Sequence, residues 1–423
     1  MRRIAFSFLL FVALGASLAT AASRVGNEWR INTNDTPRQR YPVAALDGHG
    51  GALVVWANTR LGILGRRVSL ADPNAAGSSE MTLLPNVNLP SIPGEGVVVA
   101  HKEPALLSEA DGSFWVFWSR ERAYLRSVPF YETRKVLTQE IRARRFDAQG
   151  APLGPVLFVG EGAPPFQSKP RVLRTSTGTI AVVWQSDDQV AGATAGDGVF
   201  ARFLNASGTP LGPAFRVNPV LPNPAAANAA LAADSDGRVL VAWEASDGNS
   251  PGVYRRLYTA QGVALGDVQR VNSGTIGRQG ARPAAGFLPG SGFLVLWQGA
   301  TGERFRTRIY GQRFDSAGQR IGGEIEVSHG ALEYEYDPSI VVTSHGTYFA
   351  AWMLWDSSFP RAVRGHELAG DGSPIGEEIN VSTFRVDAQY RTSLAADPHD
   401  GVLAVWEGFW NRHAGISAQR ISE

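Results

Sequence analysis

Seven tryptophans recur along the chain, Trp56, Trp118, Trp184, Trp243, Trp297, Trp352 and Trp406, at spacings of 54 to 66 residues. Each closes an apolar run: "ALVVW", "FWVFW", "IAVVW", "VLVAW", "FLVLW", "YFAAW" and "VLAVW". Unbroken runs of this length fit strands covered on both faces. A Gly stands five or six residues before every one of these Trp, beside Asp, Asn or Ser in "SEADGS", "DSDGR" and "PHDG", and reads as a hairpin turn. Pro42, Pro104, Pro170, Pro283 and Pro338 lie fourteen residues ahead of their Trp. That position suits the start of a strand, where no ladder donor is lost.

Beyond each Trp a variable segment leads to an alternating strand such as "GVYRRLY" or "RIYGQRF". Five glycine turns follow: "GAPLG", "GTPLG", "GVALG", "GQRIG" and "GSPIG". Five residues past the second Gly stand Val159, Val217, Val271, Val327 and Val381. One unit of four strands, A to D, is therefore repeated. No helical periodicity competes with it.

The last unit stops at Glu423, before its glycine turn. The segment "RVGNEWRINT" supplies the missing piece: Val25-Gly26 matches the end of the turn, and Ile31 is in register with the valines. The expectation is an all-β, seven-bladed β-propeller over residues 22–423. Its closing blade, 391–423, is completed by the N-terminal strand at 22–33. Such closure leaves no unpaired edge, which an open solenoid would not gain.

Residues 1–21 read as a secretory signal peptide: Arg2 and Arg3, an apolar run from Ile4 to Ala16, and the small-residue site Ala19-Thr20-Ala21. No second long apolar run follows, so no membrane insertion is expected. The chain has no Cys, so neither disulfides nor an N-terminal lipid-modified Cys contribute. An exported product, periplasmic or extracellular and bacterial, is expected to be monomeric. The formal net charge of +1 gives no electrostatic case for nucleic acid.

In a propeller the A–B and C–D turns share one face, and the B–C and D–A connections share the other. The first set is uniform here and the second varies. From the Trp to the glycine turn is 32 residues after Trp118 and 24 after Trp184, but 19 to 21 after Trp243, Trp297 and Trp352. Binding residues concentrate on such loops. The longest insertion, 119–140, offers Arg120, Arg122 and Arg126 for carboxylates or sulfates and Tyr124 and Tyr131 for stacking on sugar rings. The plainer reading is an ordinary surface flap lying over the first two blades. A second group, Tyr334, Trp355 and Trp410, suits a carbohydrate or peptide site, or a plug in the channel mouth.

Asp187, Asp188, Glu244, Glu335, Asp356 and Glu407 fall on the same face, where two acids at the right separation would support glycosidic chemistry. No catalytic residue is assigned. The seven His show no ligand spacing. Asp234-Ser235-Asp236-Gly237 sits at an A–B turn and reads as a plain hairpin rather than a calcium loop. No metal or cofactor is expected.

The unit carried by Pro170–Val217 and by Pro283–Val327 resembles repeats of exported and cell-surface bacterial β-propeller proteins. The resemblance covers nearly the whole mature chain. It implies the fold and no activity. The functional expectation is a non-enzymatic binding propeller for glycan or protein ligands. A polysaccharide-active enzyme using the same face and a structural assembly module are the alternatives.

Overall fold

A computed structural model describes residues 21–34, 38–72, 79–92, 95–128, 131–163, 165–186, 198–219, 226–246, 251–273, 279–290, 292–302, 306–329, 334–356, 359–383, 389–397, 401–410 and 413–422. The signal segment 1–20 lies outside them. Every regular element among the described residues is a β-strand. No helix among the described residues is long and apolar enough to cross a membrane.

The apolar runs become the second strand of each repeat. All seven repeat Trp are at most 1% exposed. Each run packs against neighbouring sheets on both sides. One cluster joins Trp56, Val54 and Leu64 to Leu403, Val405 and Ile416, so the start and end of the chain share a core. A buried aromatic covering roughly 150–250 Å² contributes at most about 4–6 kcal/mol at about 25 cal/mol per Å². Contacts between successive sheets run round the molecule and close where Gln39–Leu46 meets Tyr390–Asp397. The result is an all-β propeller.

Seven separate four-stranded sheets are not what forms, and the seven-bladed count is corrected accordingly. Hydrogen bonding among the described strands gives six sheets: four of four strands, one of five and one of eight. A parallel bridge between Thr307 and Tyr334 merges the Trp297 and Trp352 repeats into the eight-stranded sheet. Val87–Ile92 adds the fifth strand beside Glu95–Ser108. Trp spacing registers the sequence repeat and is blind to bridges of this kind.

The N-terminal strand Ser23–Arg30 pairs antiparallel with His413–Ser422. Ile31 is fully buried, and its N–H donates to the Ile416 carbonyl at 2.8 Å. The five valines do the same: Val159 to Ile141, Val217 to Val199, Val271 to Val253, Val327 to Ile309 and Val381 to Val363.

Two further contacts recur. A donor on the third strand reaches the carbonyl of the second turn glycine: Arg144 to Gly154, Arg202 to Gly212, Arg256 to Gly266, Gln312 to Gly322, His366 to Gly376 and Gln419 to Gly26. Gly322, Gly376 and Gly26 have φ of 65°, 68° and 70°, a region that favours glycine. Between successive repeats, a Glu on the outer strand, two residues past that glycine in Glu28, Glu324 and Glu378, accepts the backbone N–H that opens the neighbouring D–A connection. These clasps are Thr33 to Glu80, Ser273 to Glu324, His329 to Glu378 and Thr383 to Glu28. Asp234 takes the N–H of Asp236 and of Arg238, as an A–B hairpin requires.

Candidate functional site

The first strand of each repeat carries an irregularity at one place. The register shifts between Arg40 and Val43, Lys102 and Ala105, Ser168 and Arg171, Ala227 and Ala230, Ala281 and Ala284, Tyr336 and Ser339, and Tyr390 and Ser393. Within these shifts stand Tyr41, Glu103, Lys169, Asn228, Arg282, Asp337 and Arg391, all left-handed with φ from 49° to 57°. A non-glycine residue rarely adopts this backbone. The neighbouring sheet helps hold it. Glu407 accepts the Tyr41 N–H at 2.8 Å, Glu103 the Lys169 N–H at 2.7 Å, and Glu244 the Arg282 N–H at 2.7 Å.

The side chains of these residues form a belt of mixed charge. Arg391 donates to Glu407 at 2.9 Å and lies 4.2 Å from the Tyr41 ring centre. Lys169 Nζ donates to Asn228 Oδ1 at 2.8 Å, and Arg282 is paired with Asp337. Arg171, two residues beyond Lys169, has an exposed side chain that the surrounding protein nonetheless partly desolvates. Burial lowers its pKa, and Glu103 and then Asp337, from two non-adjacent repeats, counter that.

Glu407 is 6% exposed, and burial pushes its carboxyl above the usual range despite Arg391 and the Tyr41 N–H. Desolvation lowers Arg391, but the field and hydrogen bond of Glu407, with Tyr41 and Asp337, together raise it above its usual value. Desolvation dominates at the carboxylate because it is the more deeply enclosed partner. With its folded-state pKa above its unfolded-state value, Glu407 contributes stability that is complete below the unfolded pKa and lost as pH rises through the folded one. The stability of wild type relative to Glu407→Gln is therefore expected to fall as pH rises from 4 to 7 in urea titrations. A difference that grows with pH would contradict this.

Tyr334 and Trp355, two of the candidates read from sequence, come together. They face each other across paired strands with ring centres 4.8 Å apart. With Gln298, Thr307, Tyr336 and Arg361 they line a cavity of about 160 Å³ at the B–C and D–A ends of their strands. Trp355 is 40% exposed. The Tyr336 hydroxyl is buried without a hydrogen-bond partner among the described residues, and desolvation pushes its pKa up to about 12. Arg361 lies 4.3 Å from the Tyr390 ring centre.

The 119–140 insertion is not a loop. It continues the strands Phe114–Val128 and Tyr131–Phe146 into a long hairpin arm. Arg120 pairs with Glu140 at 3.5 Å, Arg122 is exposed, and Tyr124 is half-buried. Arg126, Tyr131 and Trp410 have described backbone in strands, but their side chains lie outside the described set. Among the described residues, none of the arm lines the cavity. Asp187 and Asp188 lie outside the described residues, as does the side chain of Asp356. Glu335 is fully buried and accepts from Ser328, so it faces protein rather than solvent.

The axial belt was missed from sequence. Its one signal was the residue before each conserved-spacing Pro, but Tyr, Glu, Lys, Arg and Asp there do not announce a left-handed backbone as Gly would.

No family model matches the chain, and no curated protein matches it. Among solved structures it is similar to a protein of unknown function from Dyadobacter fermentans, at 10% identity over 95% of this chain and 99% of that one, with a TM-score of 0.57. It is also similar to a polysaccharide lyase, an ulvan lyase solved with a GlcA- and Rha-containing saccharide, at 11% identity over 94% of this chain and 95% of that one, with a TM-score of 0.52. At such identities the likeness is one of fold alone: the chain shares an all-β propeller architecture with them.

Proposed function

We propose that the protein is an exported, non-enzymatic binding propeller that holds a glycan on its variable-loop face. The cavity between Tyr334 and Trp355 carries this reading. An exposed indole beside a phenol ring offers an apolar platform for a sugar face, while Arg361, Gln298, Thr307 and the unpartnered Tyr336 hydroxyl offer polar groups for its edges. The volume suits one ring-sized group. The acids near the axis are engaged as backbone clamps, with Glu407, Glu244 and Glu103 each accepting a neighbour's N–H. Acids so occupied are poorly placed for proton transfer to a substrate.

The test pairs a glycan array with an activity screen on the same polymers. Binding without turnover is expected. Trp355→Ala should weaken the best ligand at least about tenfold, about 1.4 kcal/mol, and leave the melting temperature nearly unchanged because the indole is partly exposed. Turnover abolished by Glu244→Gln or Glu407→Gln would replace this reading with that of a polysaccharide-active enzyme. Silence on both screens, with a protein recovered by pull-down, would favour an assembly module.

A further inference from the structure

Two positions that recur through the repeats are occupied by histidine at one joint only, and both histidines meet one carboxylate. The third-strand donor that reaches the turn-glycine carbonyl is Arg144, Arg202, Arg256, Gln312 or Gln419 elsewhere, and His366 here. The residue whose N–H is clasped by the neighbouring Glu is Thr33, Ser273 or Thr383 elsewhere, and His329 here. One candidate ligand atom from each of His329, His366 and Glu378 falls within a set no more than 4.8 Å across.

We propose that His329, His366 and Glu378 form a site for a first-row divalent transition metal of the Zn²⁺ class. The tautomer of His366 follows from the repeat. Its counterparts are obligate donors, guanidinium or amide N–H, to the same carbonyl. His366 must donate likewise, through Nε2–H to the Gly376 carbonyl at 3.2 Å. That leaves the Nδ1 lone pair as an acceptor, and this atom is buried without a partner among the described residues. The side chain is 3% exposed, so the orphan nitrogen costs desolvation with no return inside the protein. An imidazole whose far N–H is pinned to a carbonyl is also the arrangement that metal-bound histidines favour.

His329 is exposed, and its Nδ1 lies 3.8 Å from Glu378 Oε1, so an ion has a path from solvent. Glu378 Oε1 accepts the His329 backbone N–H at 2.6 Å, and Arg364 donates to Oε2 at 3.0 Å. Arg364 thus holds Oε2 rather than the oxygen nearest His329 Nδ1, which lowers the affinity without blocking Oε1. Two imidazole nitrogens with one carboxylate oxygen suit Zn²⁺ and its neighbours rather than Mg²⁺ or Ca²⁺, which prefer oxygen donors. Three protein ligands leave the remaining coordination to water.

The repeat also supplies the test variants. His329→Ser and His366→Gln each restore what other joints carry, so both are expected to fold. Isothermal titration of untagged protein with ZnCl2 should show one site in the wild type. It should be weakened at least about tenfold in each variant, with metal-free melting temperatures unchanged. MgCl2 should give no binding. Absence of Zn²⁺ binding by the wild type, or undiminished binding in either folded variant, overturns the proposal. Should His366→Gln fail to fold, His329→Ser decides alone, because its side chain is exposed.

Discussion

Removal of residues 22–33 is expected to lower the melting temperature by about 10 °C or more, whereas trimming an exposed turn of similar length should move it little. The segment does several things at once. Trp29 and Ile31, 6% and 0% exposed, complete the cluster that holds Trp56, Val405, Ile416 and Ala418, and their burial contributes on the order of 5 kcal/mol. Asn32 Oδ1 accepts the Ile416 N–H at 2.7 Å, and Arg66 donates to the Ile31 carbonyl at 2.7 Å. Glu28 clasps the N–H and hydroxyl of Thr383 at 2.8 and 2.9 Å. Without the strand, the edge His413–Ser422 would present open ladder groups and invite association between copies. Natural domains have only about 5–15 kcal/mol in reserve. The check is a thermal melt of the truncated chain beside the Ile31→Ala variant, which alone should cost about 2–5 kcal/mol. A melt within about 2 °C of the intact protein would mean that the two chain ends do not depend on each other.

That closure was legible because it is written in spacing. Ile31 stands five residues past Gly26, as Val217 and Val381 stand past their glycines, and backbone register follows from such constancy. The buried Trp were legible because an unbroken apolar run has nowhere else to go. The sheet count was not, since the bridge between Thr307 and Tyr334 is one local backbone contact with no side-chain signature. Nor was the hairpin arm: residues 119–140 are mostly polar and charged, and alternate only weakly, so they resemble a loop until strand pairing is seen. The Tyr334–Trp355 pair was found because aromatics outside the repeat pattern need a reason. The metal-type cluster was invisible because His329, His366 and Glu378 are far apart in sequence, and only alignment of the repeats with the fold reveals what His replaces.

The largest acid sensitivity is expected from His101. It lies on the strand Glu95–Ser108, opposite Arg120, with its ring edge-on to Trp118 at 5.7 Å. Its Nδ1 is buried without a partner among the described residues. Burial, then the positive field of Arg120, push its pKa down to about 4 from 6.5, against a smaller pull from the Pro85 carbonyl. A depressed folded-state pKa means that the unfolded chain takes up the proton first. The stability this group contributes is present above its unfolded pKa near 6.5 and is lost as pH falls through 4. At about 1.36 kcal/mol per unit the loss amounts to about 3 kcal/mol. Glu407 runs the other way, with its contribution retained at low pH, so total stability alone would blur the two. The clean quantity is the difference between wild type and His101→Gln, because groups common to both cancel. That difference should move against the wild type by about 3 kcal/mol between pH 7 and pH 3.5 in urea titrations. Parallel profiles would show that the imidazole finds a partner or water when charged, and that the enclosure by Trp118 and Arg120 is weaker than the geometry indicates.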